Sequence, residues 1–161
     1  MALELKRISR QAIPAAIEKA QIYRHLNESG EAESICRDVL NVDVENQAAL
    51  RMLGLSLTEK FTGAETDEFQ EAERVFQLLA DEYERLYYAG LLRERRAKAE
   101  LRAGRRLDMV TPLLRQALEL FAKAEKIRPP GNDEAILRWN RCVRLIQSRP
   151  ELEWLVGDVR I

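Results

Sequence analysis

Three stretches of this chain repeat one side-chain spacing: Ala32, Cys36 and Val39; Ala72, Phe76 and Leu79; Ala117, Phe121 and Ala124. Residues four and seven positions apart share one stripe of an α-helix. A small residue on such a stripe lets a neighbouring helix approach closely, and a large one fills the hole that remains between neighbours. A second regularity begins earlier: Ala16, Ala20 and Tyr23 are matched by Leu50, Gly54 and Leu57, each pair 34 residues apart. Self-similarity at a fixed period predicts an array of short helical units rather than a single irregular bundle.

Turn residues divide the chain into six or seven helices. A first helix is expected over residues 14–28, with Pro14 in its first turn. Ser29 and Gly30 interrupt it, and a second helix follows over 31–40. Residues 41–46 form a turn whose last residue, Asn46, suits the N-cap of a third helix carrying Ala49, Leu50, Leu53, Gly54 and Leu57. Residues 61–68 form a loop containing Gly63, and Asp67 with Gln70 resembles a capping box at the start of a fourth helix. A fifth helix is expected over 85–103, although neither Gly nor Pro marks a break at 81–84. A loop at 104–108 leads to a sixth helix over 109–127, with Pro112 in its first turn. Arg128, Pro129, Pro130, Gly131 and Asn132 stop that helix. A seventh covers 133–147, Pro150 ends it, and a tail with Trp154 and Leu155 remains.

The small–large–small spacing, the 34-residue period and Pro129 together resemble the tetratricopeptide repeat family. The turn Asp43-Val44-Glu45-Asn46 is similar to that family's inter-repeat turn, with Val44 where Pro is usual. Leu50-Arg51-Met52-Leu53-Gly54 resembles its first-helix pattern, with Leu50 in place of Trp. The resemblance covers residues 13–147. It implies an all-α fold, with antiparallel helical hairpins stacked as a short right-handed solenoid of six to seven helices. One domain, 1–161, would then comprise repeats at 13–46, 47–84 and 85–131, a capping helix at 132–148 and a tail at 149–161. Loops inside the second and third hairpins are expected to exceed the family's length. Trp139 falls where a small residue is usual, which suits a capping helix.

Composition agrees with helices: Ala, Leu, Glu and Arg dominate. Hydrophobic residues are 46% and charged residues 33% of the 161, too apolar for disorder and too charged for a membrane protein. Net charge is -1, so no global field draws the chain to nucleic acid or membrane. The first residues lack a signal peptide's apolar core and no apolar run spans a bilayer, so a cytoplasmic location is expected. Cys36 and Cys142 lack metal-ligand spacing and are expected to be free, buried thiols. His25 is the single histidine, and no phosphate loop, Ser/His/Asp set or HExxH occurs. No enzyme activity, cofactor or metal is therefore expected.

The family resemblance implies a concave face lined by the first helix of each hairpin, holding a segment of a partner protein. Carried over by spacing, that face presents Ile17, Gln21 and Arg24; Arg51, Leu55 and Thr58; Tyr87, Leu91, Arg95 and Lys98; and Ile136, Asn140 and Arg144. Each of the four helices offers a cation with apolar residues between, which favours an acidic peptide or helix. Some family members grip a chaperone's carboxyl terminus through Lys, Asn and Arg; Ile17, Gln21 and Met52 depart from that set. A second basic feature runs from Arg93 to Arg106 through Arg95, Arg96, Lys98, Arg102 and Arg105, against Glu94 and Glu100. It is the place where nucleic acid would bind, but it lacks interleaved aromatics, and pairing with Glu on neighbouring helices is the expected use. A role as accessory subunit of an enzyme complex is the other alternative. The tail is expected either to cover the seventh helix through Trp154 and Leu155 or to drive self-association.

Overall fold

The computed structural model describes residues 1–63 and 67–157, and among them the chain is all-helical, with eight α-helices and no strand. They are α1 (Ile13–His25, after a 3-10 turn at Arg10–Ala12), α2 (Ser29–Val42), α3 (Gln47–Thr58), α4 (Asp67–Gln77), α5 (Glu82–Arg102), α6 (Leu107–Lys126), α7 (Glu134–Gln147) and α8 (Pro150–Val156). Each helix from α1 to α7 packs on the next. The odd-numbered helices also touch in succession, α1 on α3, α3 on α5 and α5 on α7. Short connections make consecutive helices neighbours, and the buried stripe on each decides which face turns inward.

Local chemistry sets the boundaries. Asn46 caps α3 by accepting from the Ala49 amide at 3.0 Å, as its sequence position predicts. The break that no Gly or Pro marks is made by Asp81, whose carboxylate accepts from the Tyr83 amide at 3.2 Å. α5 therefore begins at Glu82, three residues before the expected start. Pro112 does not sit in the first turn of α6. The helix begins at Leu107, so Pro112 is an interior residue that forgoes the bond to the Asp108 carbonyl; it lies on the exposed side. Pro150 opens α8 at its first position.

The stripes read from the sequence form the core. Ala32, Cys36 and Val39 of α2, Ala72 and Phe76 of α4, and Ala117, Phe121 and Ala124 of α6 are all buried. Gly54 and Gly90 are the places where close approach requires glycine. A Cβ on Gly54 would lie 2.2 Å from the Phe76 ring, and one on Gly90 would lie 2.7 Å from the Phe121 ring. Phe76 and Phe121 thus each seat on the glycine of the preceding helix. Phe76 then stacks on Tyr88 of α5, with ring centroids 4.8 Å apart. Two buried clusters result, one centred on α1–α4 and one on α5–α8, with Leu55 and Tyr88 packed against both. Cys36 and Cys142 are free and buried, and burial pushes their thiols up to about 11 and about 12.

The hairpins differ in height. From the small residue of the first helix to the large residue of the second, Ala20 to Cys36, Gly54 to Phe76 and Gly90 to Phe121, the separations are 16, 22 and 31 residues. In the third hairpin the surplus is not loop, contrary to the expectation. Its connection, 103–106, is short, and α5 and α6 run 21 and 20 residues against 12 and 11 for α3 and α4. Beyond the glycine α5 runs on to Arg102 while α3 stops at Thr58, which makes this wall taller by roughly 12 Å.

The tail also departs from expectation. α8 lies on α6 and α7, but its anchors are Leu152 and Val156, both buried, while Trp154 is 83% exposed. Arg115 of α6 fixes it by donating to the carbonyls of Val156 at 2.8 Å and Leu155 at 2.6 Å. The last four residues, where self-association was expected, lie outside the described residues.

Candidate functional site

The extension of α5 carries a heptad-like run of charge, Glu94, Arg95, Lys98 and Arg102, opposite the end of α3 and the middle of α7. Together these elements enclose a cleft of about 420 Å3. α3 contributes Thr58 and the following Glu59, α5 contributes Arg95, Lys98 and Arg102, and α7 contributes Arg138 and Arg141. Beneath it lies Glu94, with no exposed surface.

Charges within the cleft are unevenly matched. Arg24 of α1 reaches Glu59 at 2.8 Å, a contact that ties α1 to the end of α3. Arg95 stands 3.9 Å from the same Glu59 and makes its hydrogen bond instead to a neutral acceptor, the Thr58 hydroxyl oxygen, at 2.6 Å. That hydroxyl donates onward to the Leu55 carbonyl at 2.7 Å. Burial, reinforced by the nearby Arg138 charge, holds the Arg95 guanidinium below its ordinary range. Lys98 hydrogen-bonds Glu94 one turn earlier on α5. Arg138 and Arg141 approach the same carboxylate at 3.6 and 3.8 Å, too far for hydrogen bonds, and Glu94 Oε2 has no hydrogen-bond partner. Arg138 donates weakly to the Tyr87 hydroxyl at 3.4 Å. Arg102 makes no ion pair among the described residues. Six cations, Arg24 included, thus face two carboxylates.

Of the residues expected on the inner face, Arg24, Thr58, Arg95 and Lys98 meet at this cleft. Arg51 lies on the same succession of helices but is occupied, held by both Glu84 oxygens at 3.0 and 2.9 Å. Leu55 is half-buried between the two core clusters, and Ile17 is half-buried against the first. Gln21 is exposed. Tyr87 and Leu91 are not surface residues: both are buried in the second cluster, because on α5 this stripe faces α6 as well as the neighbouring odd helices. On α7 the expected face is rotated. Ile136 and Asn140 are half-buried and Arg144 is exposed, and none lines the cleft. The side turned to α5 carries Ala135, Arg138, Arg141 and Cys142 instead. Its register follows the small residues Ala135 and Cys142, whereas Trp139, which the spacing places where a small residue is usual, is half-buried on another side.

Sequence reasoning missed Glu59, Arg138 and Arg141, and named Glu94 and Arg102 only as members of the Arg93–Arg106 run. One signal was present: Glu94 and Lys98 are spaced i, i+4, and Glu94 follows Tyr87 by seven residues, on the same stripe.

The basic run from Arg93 to Arg106 is dispersed rather than one surface. Arg93 pairs with Glu73 of α4 at 2.9 Å and with Gln116 of α6 at 3.1 Å. Arg96 pairs with Glu100 at 3.1 Å and covers the Phe69 ring at 4.6 Å. Arg105 donates to the Gly63 carbonyl at 3.0 Å, and Arg106 pairs with Asp108 at 2.6 Å. Lys98 and Arg102 face the cleft.

No family model matches this chain, and no curated protein or solved structure matches it either.

Proposed function

We propose that this chain is a non-enzymatic scaffold of the tetratricopeptide kind, which holds an acidic segment of a partner protein against the face formed by α1, α3, α5 and α7. The observation that carries this reading is the cation surplus of the cleft between α3, α5 and α7. Three features support the solenoid arrangement. Consecutive helices are neighbours, odd helices touch in succession, and Phe76 and Phe121 each seat on the glycine of their own hairpin. Guanidiniums left without hydrogen-bonded carboxylates in a partly desolvated cleft attract an anion strongly, since the field is screened less there than at an open surface. The dispersed partners of the Arg93–Arg106 run weigh against a continuous phosphate-tracking stripe, so the protein-binding reading is preferred to nucleic acid.

The test is fluorescence anisotropy with a labelled oligoglutamate peptide and, in parallel, a labelled single-stranded oligonucleotide. The wild-type chain is expected to bind the peptide at low salt. An Arg102→Glu, Arg141→Glu double variant is expected to lose at least tenfold in affinity while its far-UV circular dichroism stays unchanged. Both side chains are exposed, and the circular dichroism checks that the fold survives a second carboxylate near Glu94. Equal binding by the variant, or a preference of the wild type for the oligonucleotide, removes the reading.

A further inference from the structure

The cleft holds more than an acidic surface needs. Its cations stand on two facing walls, α5 and α7, and the carboxylates already present satisfy few of their donors. Arg95 is half-buried yet hydrogen-bonded only to the neutral Thr58 hydroxyl, with Glu59 at 3.9 Å. Arg138 and Arg141 point at Glu94 from beyond hydrogen-bonding distance. The Arg95 and Arg138 charges disfavour one another, and Glu59 and Glu94 stand beyond hydrogen-bonding distance of them, so the cleft offers unsatisfied donors to a further anion.

The chemistry of that charge follows from the donors. A carboxylate brings a single charge and two oxygens in one plane. Here donors converge from opposite walls, and the surplus exceeds one charge even after Glu59 and Glu94 are counted. A phosphoryl group has three terminal oxygens in a tetrahedral array and a charge of about -1.5 to -2 at neutral pH. It can accept from Arg95 and Lys98 on one side and from Arg138 and Arg141 on the other, with Arg102 at the rim. We infer that this cleft is a phosphoryl-monoester site, and that the segment held by the scaffold is recognised through a phosphorylated side chain. The inference rests on the preceding reading of the cleft as the partner-binding face, and narrows it.

The experiment is calorimetric titration of the full chain with inorganic phosphate at pH 7.5, with acetate at matched ionic strength and oligoglutamate as separate arms. Phosphate is expected to bind one saturable site. Acetate is expected to give no saturable heat. An Arg102→Gln, Arg141→Gln double variant should bind phosphate at least tenfold more weakly. Arg106→Gln, at the far tip of the hairpin, should bind as the wild type does. Lys98→Gln is a second probe of the site, but Lys98 neutralises buried Glu94, so the exposed double variant decides if that chain does not fold. Binding of oligoglutamate without phosphate overturns the phosphoryl assignment and leaves the scaffold reading standing. Binding of phosphate without oligoglutamate upholds the phosphoryl site and refutes a general acidic-surface partner. Phosphate binding that the double variant does not weaken, or equal heats from acetate and phosphate, overturns the assignment outright.

Discussion

The α3–α4 and α5–α6 hairpins are built on the same contact and put to different ends. In each, a glycine of the first helix receives a phenylalanine of the second, Gly54 with Phe76 and Gly90 with Phe121. α3 stops one turn after that contact, whereas α5 continues for about two turns more, and that extension holds Glu94, Arg95, Lys98, Glu100 and Arg102. The shared contact fixes how the two helices of a hairpin meet; the extension supplies a wall that α7 can face. A helical hairpin can therefore keep its packing contact while its length is varied to place charge, because the contact occupies one turn of each helix and leaves the rest free.

The largest expected effect breaks the shared contact. Phe76→Ala and Phe121→Ala each remove a fully buried ring and should cost about 3–5 kcal/mol in urea denaturation. Gly54→Ala and Gly90→Ala overpack the same sites and should cost about 1–3 kcal/mol each, net of the gain in helix propensity. Gly54→Ala should be the worse, since its Cβ would meet Phe76 at 2.2 Å against 2.7 Å for Gly90 and Phe121. A reversed order would show that the two hairpins are not held by equivalent contacts.

A smaller effect isolates the extension. Glu94→Gln leaves Lys98, Arg138 and Arg141 without their common carboxylate, and should destabilise the chain by about 1–3 kcal/mol. Added salt should narrow the difference, since Arg141 is 66% exposed. No loss of stability would mean that Glu94 serves only to tune the cleft.

The smallest concerns a charge network in the other half. Glu33 of α2 receives Lys60 and Arg37, and Arg37 also pairs with Glu71 of α4 at 2.6 Å. Burial alone would raise the Glu33 carboxyl, but the hydrogen bonds from Lys60 and Arg37 hold it below its ordinary value of 4.5. A carboxyl whose pKa is lowered on folding stabilises the fold at pH values above its unfolded pKa, and that stability is lost as pH falls through the lowered value. Glu33→Gln should therefore cost about 1 kcal/mol at pH 7. The gap from wild type should close as thermal melts are taken below about pH 4. A gap that persists at lower pH would assign the effect to packing rather than charge.

Much of the core was legible because it depends on periodicity. Ala32, Cys36, Val39, Phe76, Ala117 and Phe121 are buried where a helical stripe requires it, and Asn46 caps α3 because a side-chain oxygen at that position has a free amide to accept from. Other features were hidden by local ambiguity. Asp81 starts α5 a few residues after α4 has ended at Gln77, with no Gly or Pro nearby. Pro112 belongs to a helix that begins one turn before it. Trp139 drew the register of α7 away from Ala135 and Cys142, and with it the choice of Arg144 over Arg138 and Arg141. Trp154 was taken as an anchor for its size, yet Leu152 and Val156 face α6 and α7.

By itself, the sequence determined an all-helical chain, the boundaries of its first seven helices to within a few residues and the stripes that form its core, while α8 was read only as a tail. These follow from backbone hydrogen bonding and apolar periodicity, which act over a few residues. Only the tertiary structure decided which charges meet. Arg24 with Glu59, Arg51 with Glu84 and Arg138 with Glu94 are separated by 33 to 44 residues in sequence. Charge pairing depends on distance and desolvation between helices, and neither is written in the spacing along any one of them.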